Sequence, residues 1–350
     1  MQPIDLNKRI DTLDYLRGFA LLGIILVNIL ILMRFETTTT SFDFTYYYYL
    51  TLFVEGKFFS IFSFLFGVGF YIFISRAKAK NEKAYLLFIR RIVILFLLGL
   101  VHLFFYKGDA LTGYAIFGLI ALPFYKVRKE INITIGLILL AVTAYYGDKF
   151  SMVFPLILLG LTAGQYRIFE KINENRKSLF AFTIIMFCIS IGGLLYQWSY
   201  FPDADVAINY NNMSESEIKE YGKIESKFNL IGLQFSPFVS AFYVGVLMLL
   251  LQHPLCKSLL SPLKDYGRMA LTNYLGQTAL ILIIANVFHL NIRMSQSLWI
   301  CIGIYIFQLL FSKLWLKFFR FGPIEWLLRM GTYRTVPSML KTSTNSKERS

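Results

Sequence analysis

Long apolar runs separated by short basic clusters recur along the whole chain. Each run is about the 20 residues that a helix needs, at 1.5 Å per residue, to cross roughly 30 Å of hydrocarbon. They predict helices near 14–34, 48–75, 86–106, 110–126, 131–147, 150–166, 179–199, 229–252, 268–290 and 296–316. The expected fold class is therefore all-α integral membrane, a bundle of about ten transmembrane helices. The first run follows Lys8 and Arg9, is long enough to span, and is not followed by a small-residue cleavage site. It reads as a retained helix and not as a leader.

The basic residues orient this bundle. Lys8 and Arg9, the clusters Arg76 to Arg91, Lys126 to Lys129, Arg167 to Lys177 and Lys257 to Arg268, and the tail fall on one side. The alternate loops hold only Arg34, Lys107, Lys149, Lys219, Lys223, Lys227 and Arg293. Positive charge collects on the cytoplasmic side, so both termini are expected there, in a bacterial cytoplasmic membrane. Residues 1–316 then form the bundle, with an extracytoplasmic loop near 201–228; residues 317–350 form a cytoplasmic interfacial segment and a disordered tail. The outer loop is acidic (Asp203, Asp205, Glu215, Glu217, Glu220, Glu225). It reads as a solvated connector or as an external lid.

Composition agrees: 56% of the 350 residues are hydrophobic and only 16% charged, more apolar surface than one soluble core could hide. The net charge of +14 does not signal nucleic acid, because the basic residues are dispersed between apolar runs. Cys188, Cys256 and Cys301 lie apart, without CxxC spacing, so neither a disulfide framework nor a metal site is expected.

Polar groups inside a bilayer are costly, so each is a functional candidate. Asp14 and Arg17 share a helix face near the cytoplasmic end, suited either to anchoring the helix or to an anionic ligand. Asn28 lies eleven residues further on, about 16 Å deeper on the same face. Glu55 and Lys57 stand two apart early in the second helix and cannot face the same way on a regular helix. Gly67 and Gly69 mark close helix packing. In GLVHLFFYKGDALTGYAIFG, His102 precedes Tyr106 by one turn and Asp109 follows across a short turn. An imidazole steadied by a carboxylate is a general-base arrangement, although a packing role explains a lone membrane histidine equally well. His253 and His289 fall on opposite membrane faces, which argues against a metal. In DYGRMALTNYLGQTAL, Asn273 and Gln277 line one side of a helix, as a cavity stripe or as helix–helix hydrogen bonding. Arg268 lies at its cytoplasmic end, and Glu325, Arg329 and Arg334 follow in the tail; this face suits a phosphate-rich ligand or anionic lipid.

RIDTLDYLRGFALLGIILVN, EGKFFSIFSFLFGVGF, RRIVILFLLGLVHLFFYKGDALTGYA, GRMALTNYLGQ and GPIEWLLRMGTY, in that order, resemble the successive motifs of the YeiB family of bacterial multi-pass membrane proteins. That family is similar in turn to the transmembrane acyltransferases, which include acyltransferase-three sugar O-acetylases and heparan-alpha-glucosaminide N-acetyltransferase. The shared LDxLRG opening is Leu13, Asp14, Leu16, Arg17 and Gly18. Where the acyltransferase-three proteins carry a histidine later in that helix, this chain has Asn28. The N-acetyltransferase branch also has asparagine there and takes its histidine from the next outer segment, but no histidine lies between Met33 and Glu55.

What the resemblance implies is acetyl-CoA or another acyl-CoA entering from the cytoplasmic side near Asp14, Arg17, Arg90, Arg91 and Arg268. His102 and Asp109 would be catalytic, and Asn28, Glu55, Lys57, Tyr106, Asn273 and Gln277 would bind substrate. The acyl group would pass to an extracytoplasmic glycan, lipid or small molecule, with no metal and no nucleic acid involved and a homodimer left open. A transporter with His102 and Asp109 as proton relay, or a non-catalytic membrane partner protein, are the alternatives.

Overall fold

A computed structural model describes residues 9–35, 40–171, 174–208, 213–287 and 292–341. Lys8, His289 and the tail beyond Lys341, including the segment expected to be disordered, lie outside the described residues. The chain forms α1 (Asp11–Leu32), α2 (Ser41–Phe53), α3 (Lys57–Ala79), α4 (Ala84–Phe105), α5 (Leu111–Ile120), α6 (Lys129–Tyr146), α7 (Val153–Gln165) and α8 (Arg176–Trp198). It continues through α9 (Ala204–Ile208), α10 (Glu215–Leu250), α11 (Pro254–Leu259), α12 (Ser261–Arg268), α13 (Ala270–Val287), α14 (Ser297–Phe318) and α15 (Pro323–Tyr333). Among the described residues no strand forms, only two isolated bridges.

Among the described residues, eight segments are long and apolar enough to cross a membrane, with α2 and α3 counted together. Of the ten expected spans, the fourth and sixth appear as the shorter apolar helices α5 and α7, of 10 and 13 residues. Leu97, Val101 and Phe104 on α4 and Ile184 and Leu195 on α8 are exposed, an apolar outer surface that belongs in lipid.

α1 and α3 stand at the centre. α3 packs on α7, α10, α1 and α4, while α1 packs on α12, α13, α14 and α3. Two of these crossings are backbone to backbone. A Cβ at Gly67 would strike the Ile157 carbonyl, and one at Gly160 would strike the Phe64 carbonyl, so glycines on both helices hold α3 against α7. Gly18 and Gly267 do the same for α1 and α12, facing the Leu263 and Asp14 carbonyls. Without a side chain at these points the helices approach closely enough for dispersion to replace the hydrophobic drive that lipid removes. Gly67→Leu is expected to cost about 1–3 kcal/mol or more through overpacking, read as a lowered unfolding midpoint in detergent. Gly192→Leu, where a Cβ would meet open space, should leave that midpoint in place.

One element departs from the sequence-based expectation. The span expected at 48–75 is broken: α2 ends at Phe53, Gly56 takes φ +76°, and α3 starts at Lys57. The left-handed conformation suits glycine alone among common residues, and it turns Glu55 and Lys57 in different directions. Lys57 is buried and donates from Nζ to the Thr51 carbonyl at 2.8 Å, a cation satisfying the C-terminal end of α2.

The acidic stretch SESEIKEYGKIESK, with the composition of a solvated helix, forms the first turns of α10, opened by a capping box between Ser214 and Glu217. It packs on α8 and α2, and the Tyr221 and Tyr48 hydroxyls bond to each other. Further along, Pro237 has no N–H to give the Leu233 carbonyl; the Ser236 hydroxyl donates to that oxygen at 2.9 Å and the helix continues.

Candidate active site

One cavity of about 1330 Å³ runs through the bundle, walled by α1, α3, α4 and α5 and closed by parts of α2, α10, α13 and α15. Its two ends differ in chemistry.

At one end, arginines converge. Asp14, buried on the first turn of α1, accepts from Arg9 Nη2 at 2.9 Å and from Arg17 Nη1 at 3.2 Å, and Arg9 Nε bonds its other oxygen. A single carboxylate thus fixes two guanidinium groups at the mouth. Arg91 on α4 also lines the cavity; its guanidinium lies over the Phe73 ring at 5.4 Å. Arg329 on α15 lies between the Phe321 and Tyr333 rings, 4.6 Å and 5.5 Å from their centroids. Arg268 pairs with Asp265 at 3.4 Å and faces the same space. Guanidinium groups held by stacking and by a shared carboxylate, with donors left over, make a mouth for a phosphate-bearing anion.

Glu325 closes this end. Its Oε1 accepts the Leu271 and Thr272 amides at 2.7 and 3.1 Å, and Oε2 accepts the Thr272 hydroxyl. The carboxylate caps the start of α13 from another helix, satisfying amides that lack intrahelical partners. Burial pushes the Glu325 carboxyl up, and the hydrogen bonds from Thr272 and Leu271 pull it back only in part. The segment expected as interfacial, with Glu325, Arg329 and Arg334 near the cytoplasmic face, is therefore part of the cavity wall, packed on α4 and α13.

The middle of the cavity is apolar. Phe59, Phe62 and Phe66 on α3 gather round Tyr114 on α5, with centroid separations of 5.6 to 6.1 Å, and Leu95 and Leu111 add to the wall.

The far end is polar again. Asn28 and Tyr106 meet across the cavity, with Tyr106 donating to Asn28 Oδ1 at 2.9 Å. That contact spends the amide oxygen and leaves the Asn28 NH2 as donor. Glu55, presented by the helix break, pairs with Lys149 at 2.5 Å, and both line the cavity. Arg17 and Asn28 are eleven residues apart on α1, so the two poles stand about 16 Å apart along the axis.

The contact between His102 and Asp109 exists, at 2.7 Å from Nδ1 to Oδ1. Its setting differs from that of a cavity base. Asp109 also accepts from the Leu111 amide and from the Thr112 amide and hydroxyl, so it caps α5. Burial alone would raise the Asp109 carboxyl; the bonds from His102, Thr112 and Leu111 outweigh it and hold it below the ordinary value. With a carboxylate on Nδ1, that nitrogen carries the proton, and Nε2 is taken by the Thr278 hydroxyl at 2.9 Å. His102 lies behind Tyr106 and Tyr274, which line the cavity while the imidazole does not.

The other expected site residues divide the same way. Asp14, Arg17, Asn28, Glu55, Arg91, Tyr106, Asp109 and Arg268 line the cavity. Lys57 and Arg90 do not; Arg90 is one helical position from Arg91 and turned about 100° away. Asn273 and Gln277 do not either. Asn273 donates to the Tyr266 carbonyl and the Ser312 hydroxyl, and Gln277 to the Tyr266 hydroxyl and the Leu21 carbonyl, so this stripe ties α13 to α12, α14 and α1. Lys149 and Tyr274 were missed as site residues. Among the described residues no three His, Cys, Asp or Glu side chains converge as for a metal.

Comparison with known proteins divides the chain into two matched regions. A family model described as heparan-alpha-glucosaminide N-acetyltransferase, catalytic, matches residues 9–170, and one described as protein of unknown function (DUF418) matches residues 163–335. An uncharacterized 39.9 kDa protein in the amylase 3' region of Bacillus acidopullulyticus is 52% identical over 347 residues, covering 97% of this chain and 99% of that protein. YeiB of Escherichia coli (strain K12), itself uncharacterized, is 26% identical over 414 residues, covering 96% of this chain and 100% of its own length. The chain belongs to the YeiB family. Uncharacterized YxaH of Bacillus subtilis (strain 168) is 27% identical over 396 residues, covering 95% and 96%. No solved structure matches.

In this YeiB-family chain the acetyltransferase-like first half supplies Arg17, Asn28, Glu55, Arg91 and Tyr106. The second half supplies Arg268, Tyr274, Glu325 and Arg329. The cavity thus needs both.

Proposed function

We propose that the protein is a membrane acyltransferase that takes acyl-CoA, with acetyl-CoA as the simplest donor, at the arginine end and delivers the acyl group at the far end. The arginine end faces the cytoplasm, in line with the loop charges. One observation carries this reading: a single cavity joins a cluster of guanidinium groups to a polar chamber about 16 Å away, through an aromatic channel. A donor with a phosphate-rich head and a long thin arm ending in a thioester fits both poles at once. The family-level likeness of the first half to an acetyltransferase catalytic region supports it independently.

In this reading Arg17, Arg91 and Arg329 hold the phosphates. The aromatic channel excludes water around the arm, which protects the thioester from hydrolysis. At the far end the Asn28 NH2 donates to the carbonyl oxygen as it gains negative charge. Glu55 takes the proton from the acceptor's hydroxyl or amine as that atom attacks the carbonyl carbon. The new O–acyl or N–acyl bond forms, the C–S bond breaks, and the thiolate leaves to collect a proton as free CoA. Lys149 keeps the Glu55 carboxylate in place. His102, with both nitrogens engaged, acts as a positioning residue: it ties Asp109 at the start of α5 to Thr278 on α13 behind the Tyr106 wall.

The test is saturable binding of acetyl-CoA to the purified protein, followed by transfer. Arg91→Ala removes one charge-assisted contact worth about 1.5–3 kcal/mol, so affinity should fall roughly ten- to a hundred-fold, measured by equilibrium dialysis. Arg90→Ala should bind as the parent does. Absence of acyl-CoA binding in the parent protein would end the acyltransferase reading and leave a transport role for the through-going cavity.

A further inference from the structure

The far end of the cavity is not sealed by protein on its lipid side. Beyond the Asn28–Tyr106 hydrogen bond, the lining continues over Val27, Leu30 and Ile31 of α1 and over Leu103 of α4. Ile31 is 63% exposed and Leu103 39% exposed. Each therefore belongs to the interior lining and to the outer surface at once. Both lie in the last turns of membrane-spanning helices, so the surface they share with the cavity faces the outer edge of the bilayer. Val27 and Ile31 are one turn apart on the face that carries Asn28, and Leu103 is one turn before Tyr106. The apolar strip thus leads straight to the polar chamber.

We propose that α1 and α4 frame a lateral portal to the bilayer, and that its occupant is a membrane amphiphile whose head carries a hydroxyl or an amine. The tail lies between Ile31 and Leu103 in the hydrocarbon. The head turns inward to Glu55 and Asn28. The polarity order selects this occupant: an acidic acceptor group and an amide donor inside, bare aliphatic side chains at the opening. Lys107, Asp148 and Lys149 give this end a polar rim as well, but at the gap between α1 and α4 a wholly water-soluble molecule would meet aliphatic walls with no polar partner, and a plain hydrocarbon would leave the Glu55–Lys149 pair facing an apolar group. This assignment of the acceptor class rests on the acyltransferase reading; the portal itself does not.

The experiment uses the full chain reconstituted into phosphatidylcholine vesicles doped with a phosphatidylethanolamine that bears a diazirine on one acyl chain. Photolabelling, mapped by peptide mass spectrometry, is expected around Val27 to Ile31 and at Leu103. It should be lost in Ile31→Trp and in Leu103→Trp, while acetyl-CoA binding at the arginine end is unchanged. Monoacylglycerol should suppress the labelling in competition, and phosphatidylcholine, whose head has neither O–H nor N–H, should not. Labelling spread evenly over the lipid-facing sides of α6 and α8 and indifferent to the tryptophans would overturn the portal. Equal suppression by phosphatidylcholine would overturn the head-group assignment. Failure of acetyl-CoA binding alone, with site-selective labelling retained, would count against the enzyme reading and not against the portal.

Discussion

Asn28→Asp is expected to lower acyl transfer by about a hundred- to a thousand-fold, the usual consequence of losing one donor aimed at a developing oxyanion. The exchange keeps the shape of the side chain and keeps an oxygen for the Tyr106 hydroxyl, so the bridge between α1 and α4 survives. What changes is the other atom: an NH2 that donates becomes a carboxylate oxygen that repels the same charge. Acetyl-CoA affinity should hold, since the arginine end is about 16 Å away. Single-turnover transfer measured beside equilibrium binding separates the two, and a variant that transfers at the parent rate would remove Asn28 from the chemistry. Tyr106→Phe should have a smaller effect, because the NH2 remains and only its orientation loosens.

The second large effect is expected for Glu55→Gln, about a hundred- to ten-thousand-fold in transfer to an alcohol or amine, the range that a positioned general base supplies. Glutamine still accepts from Lys149 through its amide oxygen but no longer takes a proton. A readout that a purely structural role would not move is the dependence on the acceptor. Hydroxylamine is strongly nucleophilic and needs little help with its proton, so the variant should lose far less activity with it than with an alcohol. Equal losses with both acceptors would place Glu55 in packing and not in proton transfer. His102→Gln offers a contrast: a positioning residue should change thermal stability together with transfer.

Much of this was legible in the chain. The apolar runs locate the membrane helices, because lipid leaves a segment no alternative to satisfying its own backbone. The Asp14–Arg17 pair and the depth of Asn28 follow from helical spacing alone, while the short turn after α4 permits the contact between His102 and Asp109 without requiring it. Which face of a helix meets a cavity does not follow. Asn273 and Gln277 have the spacing of a lining stripe, yet Tyr266, Gln308 and Ser312 satisfy them, and those partners sit on other helices.

Glu55 and Lys57 were recognised as needing separate partners, but the signal for how is a single residue, Gly56, whose positive φ breaks the helix between them. Lys149 had no local signal at all; it meets Glu55 across 94 residues of sequence. The tail was read as interfacial because KFFRFGPIEWLLRM is amphipathic. The same pattern serves equally to lay an arginine and a carboxylate against a cavity and apolar residues against α4.

The capping of α13 by Glu325 has a consequence for biogenesis. The ribosome makes residue 325 after all of α1 through α14, and membrane insertion proceeds in chain order. Until α15 folds back, the Leu271 and Thr272 amides lack their carboxylate and the arginine mouth stands without one wall. In the acyltransferase reading, full donor binding is then expected only after α15 has folded back, among the final events of synthesis.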